Sequence, residues 1–553
     1  MTPFEPYDSQ FIVDVAMGRR PAGLVITHAQ WVSVQTGEII PNTDVAVIRG
    51  RIAYVGSDAS HCIGPETTVV DAKGKYLVPG LLDAHMHVES GMLTVTEFVR
   101  AIIPHGTTGI FVDPHEIANV FGLRGVRLMV DEAAKMPIHV YVQMPSCVPS
   151  APGLETPGAQ IGPTEVAEAM TWPGIIGLGE MMNFPGVISG DDKVHAEMAA
   201  TRRAEKVIGG HYASPDLGLP FHGYAAGGPQ DDHEGTRMED AIERARQGMR
   251  VMMRYGSAWH DVAAQAPAIT HRGLSSRMFL LCTDDSHSET LVHEGHMDRV
   301  LRHAIQQGIE PMVALQMATI NTAEYFGVSR DMGLIAPGRY ADLLLVPDLS
   351  DFHPEQVYVR GKLAATDGQL EMDLPRMEYP EWAHHSVNVQ HTLVPADFRL
   401  VVPVGANQSE LTAHVIGIIE NQAPTKHLRL PISAINWEVK TDLKRDLAKI
   451  ALVERHHNTG RVQVGLIQGF GFTEPCGIAT TVAHDCHHMI VVGTSDEDMA
   501  LAANTLVECG GGQAVVKHGK VIGKVELTIA GLMSTEPAEV VAEKAATVLE
   551  GFK

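Results

Sequence analysis

Residues 79–89 read PGLLDAHMHVE and directly follow the apolar residues Tyr76, Leu77 and Val78. A short apolar run that is bounded by turn residues is typical of a buried strand rather than a helix. Because side chains alternate across a strand, His85 and His87 point to the same side. Two imidazoles on one face at the carboxyl end of a strand can bind a divalent ion, although 29 histidines also allow this spacing by chance.

The sequence after His87 alternates between apolar runs and segments with helical spacing. The apolar runs lie at residues 107–113, 138–144, 175–180, 206–211, 249–255 and 278–285. Helical spacing is present at 126–134, 238–247 and 311–325, and a weak strand is present near 228–233. Apolar strands that alternate with helices are typical of a parallel sheet buried on both faces. We therefore predict the α/β class, with a (β/α)8 TIM-type barrel over residues 79–330.

Short strands flank the predicted barrel on both sides. Residues 1–78 contain a helical lead-in followed by predicted short strands. Residues 331–385 again contain short strands and end in a linker rich in proline and charged residues. We expect the two flanks to form one small β-sandwich domain. Residues 386–553 then form an additional C-terminal α/β domain, with one helix that begins at Ser495 and ends at Gly510.

Composition excludes several classes of protein. The net charge of −24 argues against partners such as nucleic acid or an anionic membrane, which require basic patches. Six cysteines lie singly at 62, 147, 282, 476, 486 and 509, which indicates a reducing compartment rather than a disulfide framework. The amino terminus, MTPFEPYDSQ, lacks the features of a signal peptide, so we expect a cytoplasmic protein.

Polar side chains with metal-binding chemistry lie at the carboxyl ends of the predicted barrel strands, where barrel enzymes place their functional groups. These candidate metal ligands are His85, His87, Glu180, His211, His233 and Asp284. All are nitrogen or oxygen ligands, which suit Zn²⁺, Mn²⁺ or Fe²⁺, and the set is too large for one tetrahedral ion. Glu180 could bridge two ions about 3.5–4 Å apart.

The chain resembles the amidohydrolase superfamily, and within it the bacterial adenine deaminases, over nearly its whole length. The motifs that carry the resemblance are PGLLDAHMHVES (79–90), DPHEIANV (113–120), GLGEMMNFPGV (177–187), GGH (209–211), DDHE (231–234), LCTDDSH (281–287) and GLIAPGRYADLLLV (333–346). The resemblance implies a binuclear centre on the six residues above, with Mn²⁺ or Fe²⁺ favoured and Zn²⁺ an alternative. Glu180 stands where many superfamily members carry a carboxylated lysine. Ser286 departs from the family pattern, in which arginine is frequent.

The resemblance also implies hydrolytic deamination of adenine, a small purine base, to hypoxanthine and ammonia. Asp284 is the candidate base that orients the attacking hydroxide, and Glu89 or Asp285 could protonate the ring nitrogen. Residues expected to contact the substrate or support the ligands are Ser90, Asp113, His115, Glu116, His287, His484 and Asp485. We expect the carboxy-terminal domain to pack over the barrel mouth and the protein to form a homodimer.

Two other functions fit the same ligands. A cyclic-amide hydrolase related to dihydropyrimidinase would use the same ions to open a ring, and a metal-binding scaffold would keep the fold without turnover. Release of ammonia from adenine separates the first alternative from the deaminase, and metal content without turnover would indicate the second.

Overall fold

A computed structural model of the chain describes residues 9–402, 411–419 and 425–553. The predicted helical lead-in is present as helix α1 (Ser9–Ala16), and residues 1–8 of that prediction lie outside the described residues. The strands of the amino-terminal flank are β1 (Leu24–Ser33), β2 (Glu38–Ile48), β3 (Arg51–Gly56), β4 (Thr68–Asp71) and β5 (Tyr76–Pro79). No helix in the described ranges is long and apolar enough to cross a membrane.

The opening HxH stretch is a strand, and parallel strands follow it. They are β6 (Leu81–His87), β7 (Thr107–Val112), β8 (His139–Met144), β9 (Ile175–Met181), β10 (Val207–Gly210), β11 (Asp231–Asp232), β12 (Arg250–Arg254), β13 (Phe279–Cys282) and β14 (Asp284–Asp285). Six of them form a sheet in the order β10-β9-β8-β7-β6-β14, and the others form a three-stranded sheet in the order β11-β12-β13. An α/β fold with a parallel sheet is therefore confirmed.

Helices connect these strands and pack around them. They are α2 (Val95–Ile102), α3 (His115–Phe121), α4 (Leu123–Ala133), α5 (Pro163–Ala169), α6 (Phe184–Ser189), α7 (Asp192–Arg203), α8 (Leu219–Gly227), α9 (Met238–Arg246), α10 (Val262–Gln265), α11 (Pro267–Thr270), α12 (Ser288–His293), α13 (Met297–Gln306), α14 (Pro311–Met317) and α15 (Ile320–Tyr325). The helical spacing over 311–325 corresponds to two helices rather than one. Thr319 between them has a non-helical backbone, and its hydroxyl donates to the carbonyl of Leu315 at 2.5 Å.

Strands from both flanks of the parallel sheets form one nine-stranded sheet. The returning strands are β15 (Leu343–Val346), β16 (Gln356–Val359), β17 (Lys362–Thr366) and β18 (Gln369–Leu370). The sheet runs β18-β17-β16-β15-β5-β1-β2-β3, with β4 paired to β1, and the antiparallel pairing of β15 with β5 joins the two flanks. The exact domain boundaries and the two-layer sandwich stay predictions.

Helix α16 (Glu381–His384) precedes the carboxy-terminal part, which is dominated by strands. They are β19 (Leu400–Val401), β20 (Leu411–Gly417), β21 (Lys426–Ile432), β22 (Ala434–Ile435), β23 (Glu438–Val439), β24 (Leu447–Val453), β25 (Val462–Gln468), β26 (Cys476–Thr480), β27 (Met489–Gly493), β28 (Gly512–Lys517) and β29 (Lys520–Glu526). Eight of them form one sheet, β21-β20-β25-β24-β27-β26-β28-β29. Helices α17 (Asp496–Cys509) and α18 (Ala538–Phe552) pack on this sheet.

The predicted helix between Ser495 and Gly510 is confirmed as α17. The hydroxyl of Ser495 accepts a hydrogen bond from the backbone N–H of Asp498, and Gly510 ends the helix with a φ of 86°. The carboxy-terminal part contacts the segment after β6 directly, because the backbone of Ser534 donates to Met92 (2.8 Å) and accepts from Thr94 (3.1 Å). These bonds place the carboxy-terminal domain beside the loop that follows β6.

Candidate metal centre

Strand β6 brings both histidines of the HxH stretch into the protein interior. His85 and His87 are each 3% exposed. The Nδ1 atom of His87 lies 2.8 Å from the carbonyl oxygen of Asp113, so a proton on Nδ1 leaves Nε2 free to bind an ion. That Nε2 atom lies 3.3 Å from Glu180 Oε1 and 3.2 Å from Asp284 Oδ1. Two carboxylates and an imidazole nitrogen therefore converge at one point.

Glu180, near the end of β9, lies between two groups of imidazoles. Its Oε1 atom faces His87 at 3.3 Å and His115 at 3.0 Å. Its Oε2 atom lies 3.2 Å from His233 Nε2 and also contacts His211 Nδ1. A carboxylate with a separate set of nitrogen ligands at each oxygen has the geometry that a bridging ligand requires.

Asp113 fixes the position of Glu180. The Oδ2 atom of Asp113 accepts a hydrogen bond from the backbone N–H of Glu180 at 2.8 Å. This approach requires glycine at position 179, because a Cβ there would lie 2.1 Å from the same oxygen. In the sequence GLGE, Glu180 is the candidate ligand, and Gly179 leaves room for the Asp113 carboxylate that supports it.

Asp284 is the remaining predicted ligand, and an arginine holds it. Its backbone adopts a left-handed conformation with φ of 62°, which directs the carboxylate away from the regular strand path. Asp284 Oδ2 lies 2.9 Å from the guanidinium of Arg254, which is 1% exposed. Burial raises the pKa of Asp284, but the hydrogen bond with His87 and the charge of Arg254 outweigh burial and hold that pKa well below its ordinary value.

Buried ligand atoms without hydrogen-bond partners show that the site suits a metal ion. They include His85 Nε2, Glu180 Oε1 and both carboxylate oxygens of Glu116. Ligand atoms of His85, His87 and Glu180 all lie within 4.8 Å of one another, and so do those of Glu180, His211 and His233. Such burial would be costly for polar groups that stayed unpaired. The nitrogen and oxygen donors fit a divalent ion.

Two carboxyl groups with raised pKa values lie beside this centre. Burial raises the pKa of Glu89 to about 8, and the nearby charge of Glu116 adds to the shift. Burial also raises the pKa of Asp285, with Asp284 contributing, and Asp285 accepts a hydrogen bond from the hydroxyl of Ser90. These groups can hold a proton close to the predicted ligands.

Helix α3 and the carboxy-terminal domain meet above the centre. Helix α3 starts at His115, so His115 and Glu116 lie buried beside His87. The imidazole of His484, from the carboxy-terminal domain, lies 6.4 Å from that of His115 between ring centres. Asp485 belongs to the same group of potential ligands.

A cavity of about 260 Å³ lies where the two parts meet, and we name it the mouth cavity. Its lining includes Ser90, Asp285 and His287 from the barrel side and Val482 and His484 from the carboxy-terminal domain. His287 lies at the exposed rim rather than among the buried ligands. The mouth cavity therefore joins the predicted substrate residues of both parts.

The structure brings all six predicted metal ligands together, but sequence reasoning missed Arg254. Arg254 is the last residue of β12, and functional side chains in such folds lie at the carboxyl ends of strands. The carboxylate of Glu234, the last residue of the motif DDHE, also pairs with Arg254. The signal for Arg254 in the sequence is a charged residue at the end of the apolar strand β12. Its contacts with Asp284 and Glu234 follow from that position.

Comparison with known proteins agrees with this geometry. Residues 76–364 match the amidohydrolase family, and residues 422–553 match the adenine deaminase C-terminal domain. The chain is 59% identical to an adenine deaminase of Mesorhizobium japonicum, covering 98% of this chain and 89% of that protein. It is 50% identical to an adenine deaminase of Moorella thermoacetica, covering 97% and 89%.

A solved structure shows the same fold at low identity. A β-aspartyl dipeptidase from Fervidobacterium islandicum aligns with a TM-score of 0.50 and 16% identity, over 65% of this chain and 98% of that one. The fold likeness and the whole-length identity agree. The chain therefore belongs to the amidohydrolase family and, within it, to the adenine deaminases.

Proposed function

We propose that the protein catalyses the hydrolytic deamination of adenine to hypoxanthine and ammonia. The observation that carries the metal-dependent hydrolysis is the position of Glu180, whose two oxygens each face their own set of imidazoles, and the choice of adenine rests on the relatives. Relatives at 50–59% identity over nearly the whole chain are named adenine deaminases. The centre alone would also suit a ring-opening hydrolase, and the comparisons do not favour that alternative.

The six predicted ligands would hold two divalent ions, with Mn²⁺ or Fe²⁺ favoured and Zn²⁺ an alternative. His85, His87 and Asp284 lie on the Oε1 side of Glu180, whereas His211 and His233 lie on its Oε2 side. When bound, such ions lower the pKa of a water molecule toward neutral and so supply a nucleophile. Both carboxylate oxygens of Glu180 would therefore serve as metal ligands.

Asp284 is the residue that we assign to orientation of the nucleophile and to acceptance of its proton. Its low pKa keeps it ionised, and Arg254 keeps its carboxylate in one place at 2.9 Å. A base must lie within hydrogen-bond reach in a fixed geometry to be effective. The pair of Asp284 and Arg254 supports that assignment.

The ring nitrogen of the base must gain a proton as the amine leaves. Glu89 is buried and its raised pKa of about 8 keeps its carboxyl protonated at neutral pH. Asp285, with a raised pKa and a place in the mouth cavity, is the other candidate. We propose that these two carboxyls face the base and that one of them donates to N1.

The finer architecture supports an enclosed site. We propose that the two parallel sheets form one closed (β/α)8 barrel, because the backbone N–H of Gln230 donates to Ile208 at 2.8 Å and β14 follows β13 after one residue. We also keep a cytoplasmic homodimer as a proposal. We further propose that His484 and Asp485, from the carboxy-terminal domain, cover the base and exclude water.

A substrate panel tests the function. Metal-loaded protein is incubated with adenine, hydantoin and dihydrouracil, while ammonia release and ring opening are followed. The proposal expects ammonia from adenine with formation of hypoxanthine. Ring opening of hydantoin or dihydrouracil without ammonia from adenine would favour the cyclic-amide alternative.

A further inference from the structure

Arg455, just after strand β24, is fully buried and holds three distant segments together. Its Nε atom donates to the carbonyl of His487 at 2.6 Å. Its Nη1 atom donates to the carbonyl and the hydroxyl of Ser386, each at 3.0 Å, and both terminal nitrogens donate to the carbonyl of Ala530 at 3.2 Å. The linker before the carboxy-terminal sheet, the 483–488 loop and the turn before α18 therefore meet at one guanidinium.

The 483–488 loop is the part of this arrangement that reaches the candidate metal centre. It carries His484, whose ring centre lies 6.4 Å from that of His115, and Asp485. The residue after Arg455 holds the same loop, because His456 Nε2 lies 2.8 Å from the carbonyl of Cys486. The position of His484 therefore depends on the end of β24.

The barrel side fixes the other edge of the loop. The hydroxyl of Thr156 lies 2.9 Å from His488 Nε2, and His457 Nε2 lies 3.1 Å from the carbonyl of Pro157. Contacts from 156–157 and from 455–457 thus enclose the loop between the two parts of the protein. A loop held from two sides has a defined position over the barrel mouth.

The chemistry of these contacts requires arginine. All the oxygens that accept from Arg455 are neutral, so burial of the cation is not offset by an acid within this set. Arginine offers five N–H donors in a rigid plane, whereas lysine offers three donors from one point. Only the planar group can reach the carbonyls of Ser386, His487 and Ala530 at once.

We propose that Arg455 is a positioning residue for adenine turnover, acting through the 483–488 loop to hold His484 and Asp485 over the barrel mouth. The inference rests on the proposed function, since it needs a substrate base below that loop. Arg455 itself lies away from the predicted ligands and touches the loop backbone. Its substitution should therefore alter the binding of the base rather than the metal content.

A mutant cycle on the full-length, metal-loaded protein tests this coupling. Arg455→Lys should lower kcat/KM for adenine by about tenfold to a hundredfold, mainly through a higher KM, because a small misplacement of a contact group has effects of this size. In a background that carries both His484→Ala and Asp485→Ala, the same change should add little, because both groups that the loop holds are already absent. Effects that simply multiply in the combined variant would overturn the proposal, as would an unchanged KM in Arg455→Lys.

A second readout does not depend on activity. Amide hydrogen exchange at residues 483–488 should become faster in Arg455→Lys. Lys449→Met is the matched control: Lys449 is a buried cation in β24 whose ammonium group, within the described ranges, donates to Asp496 and Glu438. It should leave both the loop exchange and KM unchanged.

Two outcomes separate this inference from the proposed function. A wild-type protein that releases no ammonia from adenine would refute the function, while loop exchange would still report whether Arg455 holds the loop. A wild-type protein that is active, with loop exchange unchanged in Arg455→Lys, would refute the positioning role alone.

Discussion

Replacement of Arg254 by methionine should impair both folding stability and catalysis. The guanidinium is 1% exposed, and it lies 2.9 Å from Asp284 Oδ2 and 2.8 Å from Asp261 Oδ2. Removal of one partner from a buried ion pair costs about 3–5 kcal/mol, because the other charge stays buried without compensation. Loss of a fixed position for Asp284 should also lower kcat/KM for adenine by about a hundredfold.

The pH profile should change in a defined direction. Arg254 is one of the groups that hold the pKa of Asp284 low, so that pKa should rise in Arg254→Met. Asp284 would then lose its charge at a higher pH as the solution is acidified. The acidic limb of kcat/KM should therefore move to higher pH in the variant.

A matched variant separates the loss of stability from the loss of position. Arg51 makes a buried ion pair with Asp331 at 2.7 Å in the nine-stranded sheet. Arg51→Met should lower the urea midpoint, measured by circular dichroism, to a similar degree with kcat/KM preserved. If Arg254→Met kept kcat/KM within a few-fold of the wild type, the assigned role of Arg254 would be wrong.

Three further predictions, with four substitutions, concern the surroundings of the centre. In metal-free protein, burial raises the pKa of Glu89 from 4.5 to about 8. The folded state therefore binds a proton that the unfolded chain releases, and stability should fall as pH rises between those values. Glu89→Gln should flatten this fall in urea midpoints, and an unchanged slope would contradict the raised pKa. Gly179→Ala should reduce metal content and activity, because its Cβ would lie 2.1 Å from Asp113 Oδ2; full metal binding in this variant would show that the support is dispensable. Asp285→Asn should lower turnover with metal content unchanged, and Asp284→Asn should lower it further; the reverse order would contradict the assigned roles.

The sequence predicts the parallel strands and the convergence of the candidate ligands because both depend on local patterns. The apolar run that ends in His85 and His87 is strand β6, and Glu180 and His233 lie at or just beyond the ends of their strands. In a parallel sheet the carboxyl ends of strands share one edge, so strand ends converge without knowledge of distant contacts. That geometry explains why the six candidate ligands lie together in the fold.

The remaining features depend on contacts between residues that are distant in sequence. The pairing of Arg254 with Asp284 requires the register of neighbouring strands, which the text alone does not give. The approach of His484 to His115 depends on the packing of two domains, and only a general expectation of a cover over the barrel was possible.

Metal titration of the metal-free protein tests the central claim most directly. The account predicts that adenine deamination rises with added Mn²⁺ and reaches its plateau at two ions per chain, because each oxygen of Glu180 faces a separate set of imidazoles. Glu180→Ala should keep its fold and show no paired binding and no deamination. A plateau at one ion per chain with full release of ammonia from adenine would contradict the account.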